Sequence, residues 1–477
     1  MVVNIQRPAR SVKRAVAGIE SLMMAVFSLC SVGAVFGYAI FRYGGVLPVD
    51  WLAALAAIGL IAAAYWLVSK RAELAPAPSR SLRWLLFAFL AAISLQLVPL
   101  PVELVRLVSP ARAELHANLA PVIPAGAFTT LSVVPAETFR HLLTVLGYAV
   151  LFLLVREWCW KWRQRPWVVA APFVTVAFLE AVLGLVQTYW AGAPLARGTY
   201  VNRNHFAGLL EMSLPFAVMP AVAVFRRVAG RRKTPAGPAI LACALLAVAA
   251  VMLLAVVQSL SRMGFLAVLA SLFVMGAAAL GAGAGTWKRK LPVVAVAVSV
   301  LLGFIFLPTD PLILRFADLA ETEDISADTR ARIWRESTAL VADFPLAGCG
   351  LGGYESAFMR YKTVAPMQTV DFAHNDYLQL LAELGVLGFS ILLVLAARMF
   401  WNALRASALP AGELHRYVGI ACAGSLTAIA LHSIVDFNLY IPANGMLAVW
   451  VAGISEGLSF PGRAGRRKPG FPVYVEG

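Results

Sequence analysis

Residues 239–282 read AILACALLAVAAVMLLAVVQ SLSR MGFLAVLASLFVMGAAALGA. They contain one charged side chain, Arg262, which lies between two apolar runs of 20 residues each. A helix rises about 1.5 Å per residue, so each run covers the roughly 30 Å of hydrocarbon in a bilayer. Because lipid cannot satisfy backbone hydrogen bonds, both runs must be helical. The segment therefore predicts two transmembrane helices joined by a short turn.

The same pattern extends through the chain. Of the 477 residues, 60% are apolar and 14% charged, and the mean hydropathy is +0.78. Soluble domains have roughly 45–50% apolar and about 25% charged residues, so a soluble protein is excluded. We predict an all-α polytopic membrane protein with about twelve transmembrane helices. The predicted spans are 19–41, 50–69, 84–100, 139–155, 167–190, 206–225, 239–258, 263–282, 291–308, 376–397, 416–435 and 442–459.

Basic residues orient these helices. The net charge is +15, and most of the 40 basic residues fall in alternate connections, which are cytoplasmic by the positive-inside rule. This clustering at helix ends argues against nucleic-acid binding. The five cysteines include no CxxC pair, which argues against disulfides and a cysteine metal site.

Both chain ends are predicted to be cytoplasmic, and two non-cytoplasmic segments are long. One is amphipathic, and the other is expected to form a small helical cap. The predicted parts are a cytoplasmic N-terminus 1–18, helices one to nine within 19–308 with the amphipathic segment 101–138, a large loop 309–373, helices ten to twelve within 374–459, and a cytoplasmic tail 460–477.

A first group of polar residues lies in a short outer loop. Arg197 and Arg203 lie in this loop, and Asn204 enters the next helix. Arginine forks and the N–H groups of a helix start both favour phosphate. These residues predict an anion site; the alternative is headgroup contact by the arginines and helix capping by Asn204. Arg262, alone in its apolar turn, either points at a ligand or pairs with a carboxylate.

A histidine ends the large loop where the tenth predicted helix begins. His374 is flanked by Asp371, Asp376 and Tyr377, and a histidine can accept a proton near neutral pH. The alternative is an N-cap region that only satisfies backbone donors. Asp436 follows His432 by four residues, which predicts a structural hydrogen bond rather than a metal half-site.

Glu180, Glu211 and Glu383 lie within predicted spans. Proton-coupled transporters use such residues, so these glutamates favour a transporter as the alternative function. Against transport, the polar residues gather at one face of the membrane, and no matched pair of broken helices is evident.

Four segments together resemble the bacterial O-antigen ligase and O-antigen polymerase family. They are GTYVNRNHFAG (198–208), SRMGFLA (261–267), the run from RARIW through DFPLAGCGLGGYESAF (330–358) and AHNDYLQLLAELGVLG (373–388). The resemblance covers roughly residues 180–440. It implies a glycosyltransferase of the GT-C type in the bacterial inner membrane, with its site and large loop facing the periplasm.

The resemblance also implies roles for individual residues. His374 would be the catalytic histidine, and Arg262 with Arg203 or Arg197 would bind the diphosphate. From their positions in the sequence, we expect Asn204, Asp371, Asp376, Tyr377 and Asp436 to support this site. The donor would be a glycan on undecaprenyl diphosphate, and no metal or nucleotide cofactor is implied. The acceptor is either another glycan (polymerase) or lipid A-core (ligase). VNRNHFAG resembles the polymerase branch more closely, for which a chain-length regulator would be a partner. Full glycan transfer by His374→Ala would contradict the histidine assignment.

Overall fold

A computed structural model describes residues 7–69, 74–121, 126–229, 236–281, 327–363, 369–408 and 413–460 of the chain. The described part is predominantly helical. Its α-helices are α1 Arg7–Phe41, α2 Pro48–Val68, α3 Arg80–Leu95, α4 Val102–Val108, α5 Pro110–Leu119, α6 Pro135–Lys161, α7 Ala171–Tyr189, α8 Arg203–Ser213, α9 Pro215–Ala229, α10 Ala236–Gln258, α11 Arg262–Gly281, α12 Ala327–Asp343, α13 Tyr354–Phe358, α14 Asp376–Ala408, α15 Glu413–His432 and α16 Pro442–Leu458. One small antiparallel pair joins β1 Leu100–Pro101 to β2 Phe128–Thr129.

The helices confirm an all-α polytopic membrane protein. Within the described ranges, nine helical segments are long and apolar enough to cross a membrane. The third and twelfth predicted spans are occupied by shorter helices, α3 with 16 residues and α16 with 17. The ninth predicted span, 291–308, lies outside the described residues, as do residues 1–6, residues 309–326 and 364–368 of the large loop, and residues 461–477.

Polar contacts between connections identify the two ends of the helix bundle. At one end, Arg42 pairs with Asp50 at 3.2 Å, and the Thr199 hydroxyl donates to the carbonyl of Ile40 at 2.8 Å. We call this the histidine end, because the 190–202, 259–261, 369–375 and 433–441 connections also lie there. At the opposite end, Arg398 pairs with Glu456 at 3.0 Å. The helices on either side of the 190–202, 259–261 and 433–441 connections therefore run in opposite directions.

Small residues allow the central helices to approach closely. On α16, Gly453 and Gly457 face Val155 and Cys159 of α6, and a Cβ on Gly453 would lie 2.8 Å from the Val155 Cβ. In lipid, where the hydrophobic effect between helices is weak, such close packing supplies much of the association energy. The core around this contact is aromatic and includes the fully buried Trp450.

Helix α14, which follows the predicted catalytic histidine His374, is broken. Gly385 in α14 has φ +61° and ψ −178°, a conformation open essentially to glycine alone. The backbone freed by the break pairs with the loop after α12: Cys349 N–H donates to the Ala382 carbonyl at 2.9 Å, and Val386 N–H donates to Pro345 at 2.8 Å. Irregular backbone at membrane depth is tolerated when protein covers it in this way.

The GLGGYESAF run (350–358) is a set of tight turns before the short helix α13. Gly348, Gly350 and Gly352 all have positive φ, and the Ser337 and Tyr354 hydroxyls are 2.7 Å apart. This contact joins α13 to α12 inside a small apolar cluster that rests on the start of α14. The described part of the large loop is therefore helical and packed against the histidine end.

Candidate active site

Asp436 is the centre of the polar cluster at the histidine end. It is 1% exposed, and its Oδ1 lies 3.5 Å from His205 Nε2 and 3.8 Å from His374 Nδ1. Its Oδ2 lies 3.9 Å from His432 Nε2. The N–H of Phe437 donates to Oδ1 at 2.9 Å, which holds the carboxylate in place. One carboxylate thus faces three imidazoles from three different parts of the chain.

These imidazoles also determine the charge of Asp436. Burial alone would raise the pKa of this carboxyl group. The interactions with His205, His374 and His432 oppose burial and hold the pKa of Asp436 well below its ordinary value. Asp436 is therefore ionised at neutral pH.

His374 lies at the rim of the cluster, immediately before α14. Its side chain is 14% exposed, and its ring packs edge-on against Phe437 with centroids 4.9 Å apart. Its φ is +51°, an uncommon backbone conformation for a residue other than glycine, and such conformations cluster at functional sites. Because Nδ1 faces Asp436, Nε2 is the nitrogen left for a substrate.

The prediction of a hydrogen bond between His432 and Asp436 is wrong. The helix ends at His432, so the two residues are not on one helical face, and 3.9 Å exceeds hydrogen-bonding distance. The hydrogen bond of His432 goes instead to Glu211 on α8, with Nδ1 2.9 Å from Oε2. The sequence interval of four residues suggested a helical turn that the chain does not form.

Asp376 and Tyr377 support the cluster from α14. The Asp376 Oδ2 accepts from the Ser433 hydroxyl at 2.6 Å and from Leu439 N–H at 3.2 Å, which ties α14 to the 433–441 segment. The Tyr377 hydroxyl donates to the Ala430 carbonyl at 2.7 Å. Asp371 is exposed and, in the described part of the chain, has no hydrogen-bond partner.

The predicted anion-binding arginines lie on neighbouring connections. Ala196 N–H donates to the Gln258 carbonyl at 2.9 Å, so the loop that carries Arg197 contacts the turn before Arg262. Arg197 is exposed, and Arg203 is partly exposed as the first residue of α8. Arg203 is also two residues before His205, which links this arginine to the Asp436 cluster.

Arg262 begins α11 at the same bundle end. The Ser261 hydroxyl caps this helix by accepting from Gly264 N–H at 3.2 Å. A Cβ on Gly264 would lie 2.5 Å from the Ala207 Cβ, so the start of α11 packs closely on α8. Arg262 is exposed, and no other described residue forms a hydrogen bond or ion pair with it. Its guanidinium therefore does not serve an internal carboxylate among those residues.

Asn202, not Asn204, caps α8. Its side chain accepts from the backbone N–H of Asn204 at 2.8 Å. The helix starts at Arg203, three residues before the predicted boundary, which removes the capping alternative proposed for the Asn204 side chain.

The three glutamates within spans have partners inside the protein. Glu180 accepts from Thr199 N–H at 3.0 Å and so braces the 190–202 loop. Glu383 accepts from Gly352 N–H at 2.7 Å and from the Tyr440 hydroxyl at 2.6 Å. With Glu211 bound to His432, two of the three hold turns at the histidine end and the third belongs to the Asp436 cluster.

Sequence reasoning placed neither His205 nor Glu211 in the catalytic site, although it noted Glu211 as a glutamate within a predicted span. Both lie on α8, six residues apart, and both are buried. A histidine and a glutamate inside an apolar span were the available signal, since ionisable residues there are costly. In the described ranges, no group of three or more His, Cys, Asp or Glu side chains has the arrangement of a metal site.

Comparison with known families recognises one part of the chain. Residues 247–393 match the family described as O-antigen ligase. The matched region contains Arg262 and His374, begins after Arg197 and Arg203, and ends before Asp436. No curated protein matches the chain. The match supports a multi-pass membrane enzyme of the O-antigen ligase or polymerase type, a glycosyltransferase with a lipid-linked glycan donor. The chain therefore carries an O-antigen ligase family domain over residues 247–393, which confirms the family that its motifs resemble.

Proposed function

We propose that the protein transfers a glycan from undecaprenyl diphosphate to an acceptor hydroxyl at the periplasmic face of the bacterial inner membrane. The observation that carries this proposal is the approach of Asp436 Oδ1 to within 3.8 Å of His374 Nδ1, at the bundle end where Arg262 is exposed. A base that faces a carboxylate and an exposed cation at the same end of the bundle suit displacement of a diphosphate.

His374 is the proposed general base. Asp436 faces Nδ1 at 3.8 Å, which favours a proton on Nδ1 and leaves Nε2 to accept the proton of the acceptor hydroxyl. The acceptor oxygen bonds to the anomeric carbon as the bond to the diphosphate breaks, and a single displacement inverts that carbon. A positioned base of this kind contributes roughly 100- to 10,000-fold to the rate.

Arg262 and either Arg203 or Arg197 are the proposed diphosphate ligands. Negative charge develops on the diphosphate as it leaves, and preorganised cationic donors stabilise that charge. Arg262 suits this role because no described carboxylate neutralises it. Asn204, Asp376, Tyr377 and Asp436 support the site, whereas the exposed Asp371 has no described contact with it.

An open apolar groove of about 400 Å³ adjoins the site between α12 and α14. Its lining includes Trp334, Leu378 and Phe389, with Arg335 and Asn375 at its polar positions. Asn375 is the neighbour of His374 in the chain, so a lipid chain in this groove would start beside the base. The groove is suited to the apolar chain of a lipid-linked donor.

The charge distribution supports the proposed orientation. Lys161, Arg163, Arg398 and Arg416 lie near the opposite end of the bundle, which the positive-inside rule assigns to the cytoplasm. The histidine end then faces the periplasm, where a second glycan chain or lipid A-core would be the acceptor. We favour a polymerase, with a chain-length regulator as its partner.

The test is glycan transfer from a polyprenyl-diphosphate donor by membranes that contain His374→Ala at the wild-type protein level. We expect a loss of at least about 100-fold. The control is His116→Ala, which removes a partly exposed histidine on α5 whose hydrogen bond among described residues goes to the Gly126 carbonyl. Full transfer by His374→Ala would overturn the proposal.

A transporter gives a different result. Proteoliposomes without lipid-linked glycan would then take up a labelled small anion, such as bicarbonate, or another solute. Under the glycosyltransferase proposal, uptake by these proteoliposomes equals uptake by protein-free vesicles.

A further inference from the structure

Two ionisable residues in the bundle have no part in the steps above. His432 and Glu211 are both fully buried, His432 at the end of α15 and Glu211 within α8. The His432 Nδ1 lies 2.9 Å from one Glu211 oxygen and 3.1 Å from the other. A buried ionisable pair inside a membrane bundle is costly, and such pairs are functional candidates by default.

The second ring nitrogen of His432 connects this pair to the site. Nε2 lies 3.9 Å from Asp436 Oδ2 and has no hydrogen-bond partner among the described residues. Both ring nitrogens thus face carboxylate oxygens, which favours a proton on each of them. An imidazolium between two carboxylates draws Oδ2 of Asp436 towards α15 and leaves Oδ1 directed at His374.

All the ionisable groups around Asp436 in the described ranges belong to one cluster. They come from α8, the segment before α14, the start of α14 and the end of α15. These groups are His205, Glu211, His374, Asp376 and His432. The cluster is therefore a chain that runs from Glu211 through His432 and Asp436 to His374, with His205 beside the last link.

We propose that Glu211 and His432 are positioning residues for the base His374 and act on it through Asp436. The inference rests on the proposed function. Glu211 holds His432 with both nitrogens protonated, and His432 fixes the orientation of the Asp436 carboxylate. Asp436 then holds the His374 ring and stabilises its positive charge once the acceptor proton has arrived on Nε2. Neither Glu211 nor His432 touches the substrate.

The first test is Glu211→Gln, which keeps an oxygen acceptor for His432 Nδ1 and removes the charge. We expect kcat to fall about 10- to 100-fold, the range typical when a partner that orients an active-site residue is lost. The KM for the donor should stay within about twofold of wild type, and the acid limb of the kcat profile should shift. Glu157→Gln is the control, because Glu157 is a buried carboxylate at the opposite end that accepts from Ala75 N–H.

A double variant separates positioning from general structural support. If Glu211 acts only through Asp436, adding Glu211→Gln to Asp436→Asn causes no further loss of kcat, because residues that act as a unit are not additive. Equal losses in both backgrounds, or an unchanged kcat and pH profile in Glu211→Gln, would overturn the inference. If Glu211→Gln does not accumulate, His432→Gln replaces it, since its amide N–H can still donate to Asp436 and should retain more activity than His432→Ala.

The two proposals fail in different ways. A wild-type protein that transfers no glycan refutes the proposed function. Wild-type transfer that depends on His374 but not on Glu211 or His432 refutes the positioning role alone.

Discussion

Asp436→Asn removes the negative charge that faces three imidazoles and leaves a side chain of nearly the same shape. The carboxylate is 1% exposed, and its Oδ1 lies 3.8 Å from His374 Nδ1. The asparagine Oδ1 can still accept from Phe437 N–H, so the turn at 436–437 should persist. The substitution therefore tests charge more than packing.

The distance between His374 and Asp436 determines how much activity Asp436→Asn should lose. Two unit charges 3.8 Å apart interact by about 4 kcal/mol at an effective dielectric constant of about 20. This energy is available only after His374 has taken the acceptor proton, so its loss raises the barrier rather than weakening substrate binding. About 4 kcal/mol corresponds to roughly 1,000-fold in rate. Because His374 is partly exposed and water can screen the pair, we expect a fall in kcat of about 100- to 1,000-fold.

The assay is transfer from a purified polyprenyl-diphosphate glycan donor in proteoliposomes, with kcat and donor KM measured separately. Asp50→Asn is the matched control: Asp50 is a buried carboxylate at the same bundle end, paired with Arg42 outside the site. We expect the control to keep kcat within about threefold of wild type. A kcat for Asp436→Asn within threefold of wild type, at equal protein level, would refute the assignment of Asp436 as the partner of the base.

Three further predictions concern the arginine, the helix break and acid stability. Arg262→Ala should lower kcat/KM by about 100- to 1,000-fold, with partial recovery in Arg262→Lys because lysine keeps the charge but not the bidentate guanidinium fork. Arg106→Ala, at an exposed arginine on α4, should have no effect in the same transfer assay. Gly385→Ala should lower the free energy of unfolding by at least about 1–3 kcal/mol, because the φ and ψ of Gly385 exclude a side chain. Gly276→Ala on α11, where a Cβ meets nothing within 4 Å, should be neutral, and equal melting temperatures of the two variants would contradict this reasoning. Because the pKa of Asp436 is held well below its ordinary value, its ionised form should stabilise the protein above about pH 3.9 and lose this effect as the pH falls through the lowered pKa. In thermal melts from pH 7 to 3, the melting temperature of Asp436→Asn should therefore fall less with acid than that of wild type.

Much of the fold follows from hydrophobic length alone. A 20-residue apolar run has one low-energy structure in lipid, so 239–258 and 263–282 could be assigned as helices without any knowledge of their neighbours. The break at Gly385 could not, because its conformation depends on the distant 345–352 loop that supplies the missing hydrogen bonds. A glycine in an apolar helix looks the same in sequence whether or not it is the point of a break.

For the site, the sequence by itself determined which residues are too costly to lie in a membrane protein without a purpose. His374 and Arg262 stood out for that reason, since each is polar in an apolar context. Only the tertiary structure decided their partners. His205 on α8 and His432 at the end of α15 are 227 residues apart in the chain, and both meet His374 around Asp436. Burial and hydrogen bonds between distant segments assign His432 to Glu211 and leave Asp436 facing His374. Those pairings depend on helix packing, which sequence spacing does not contain.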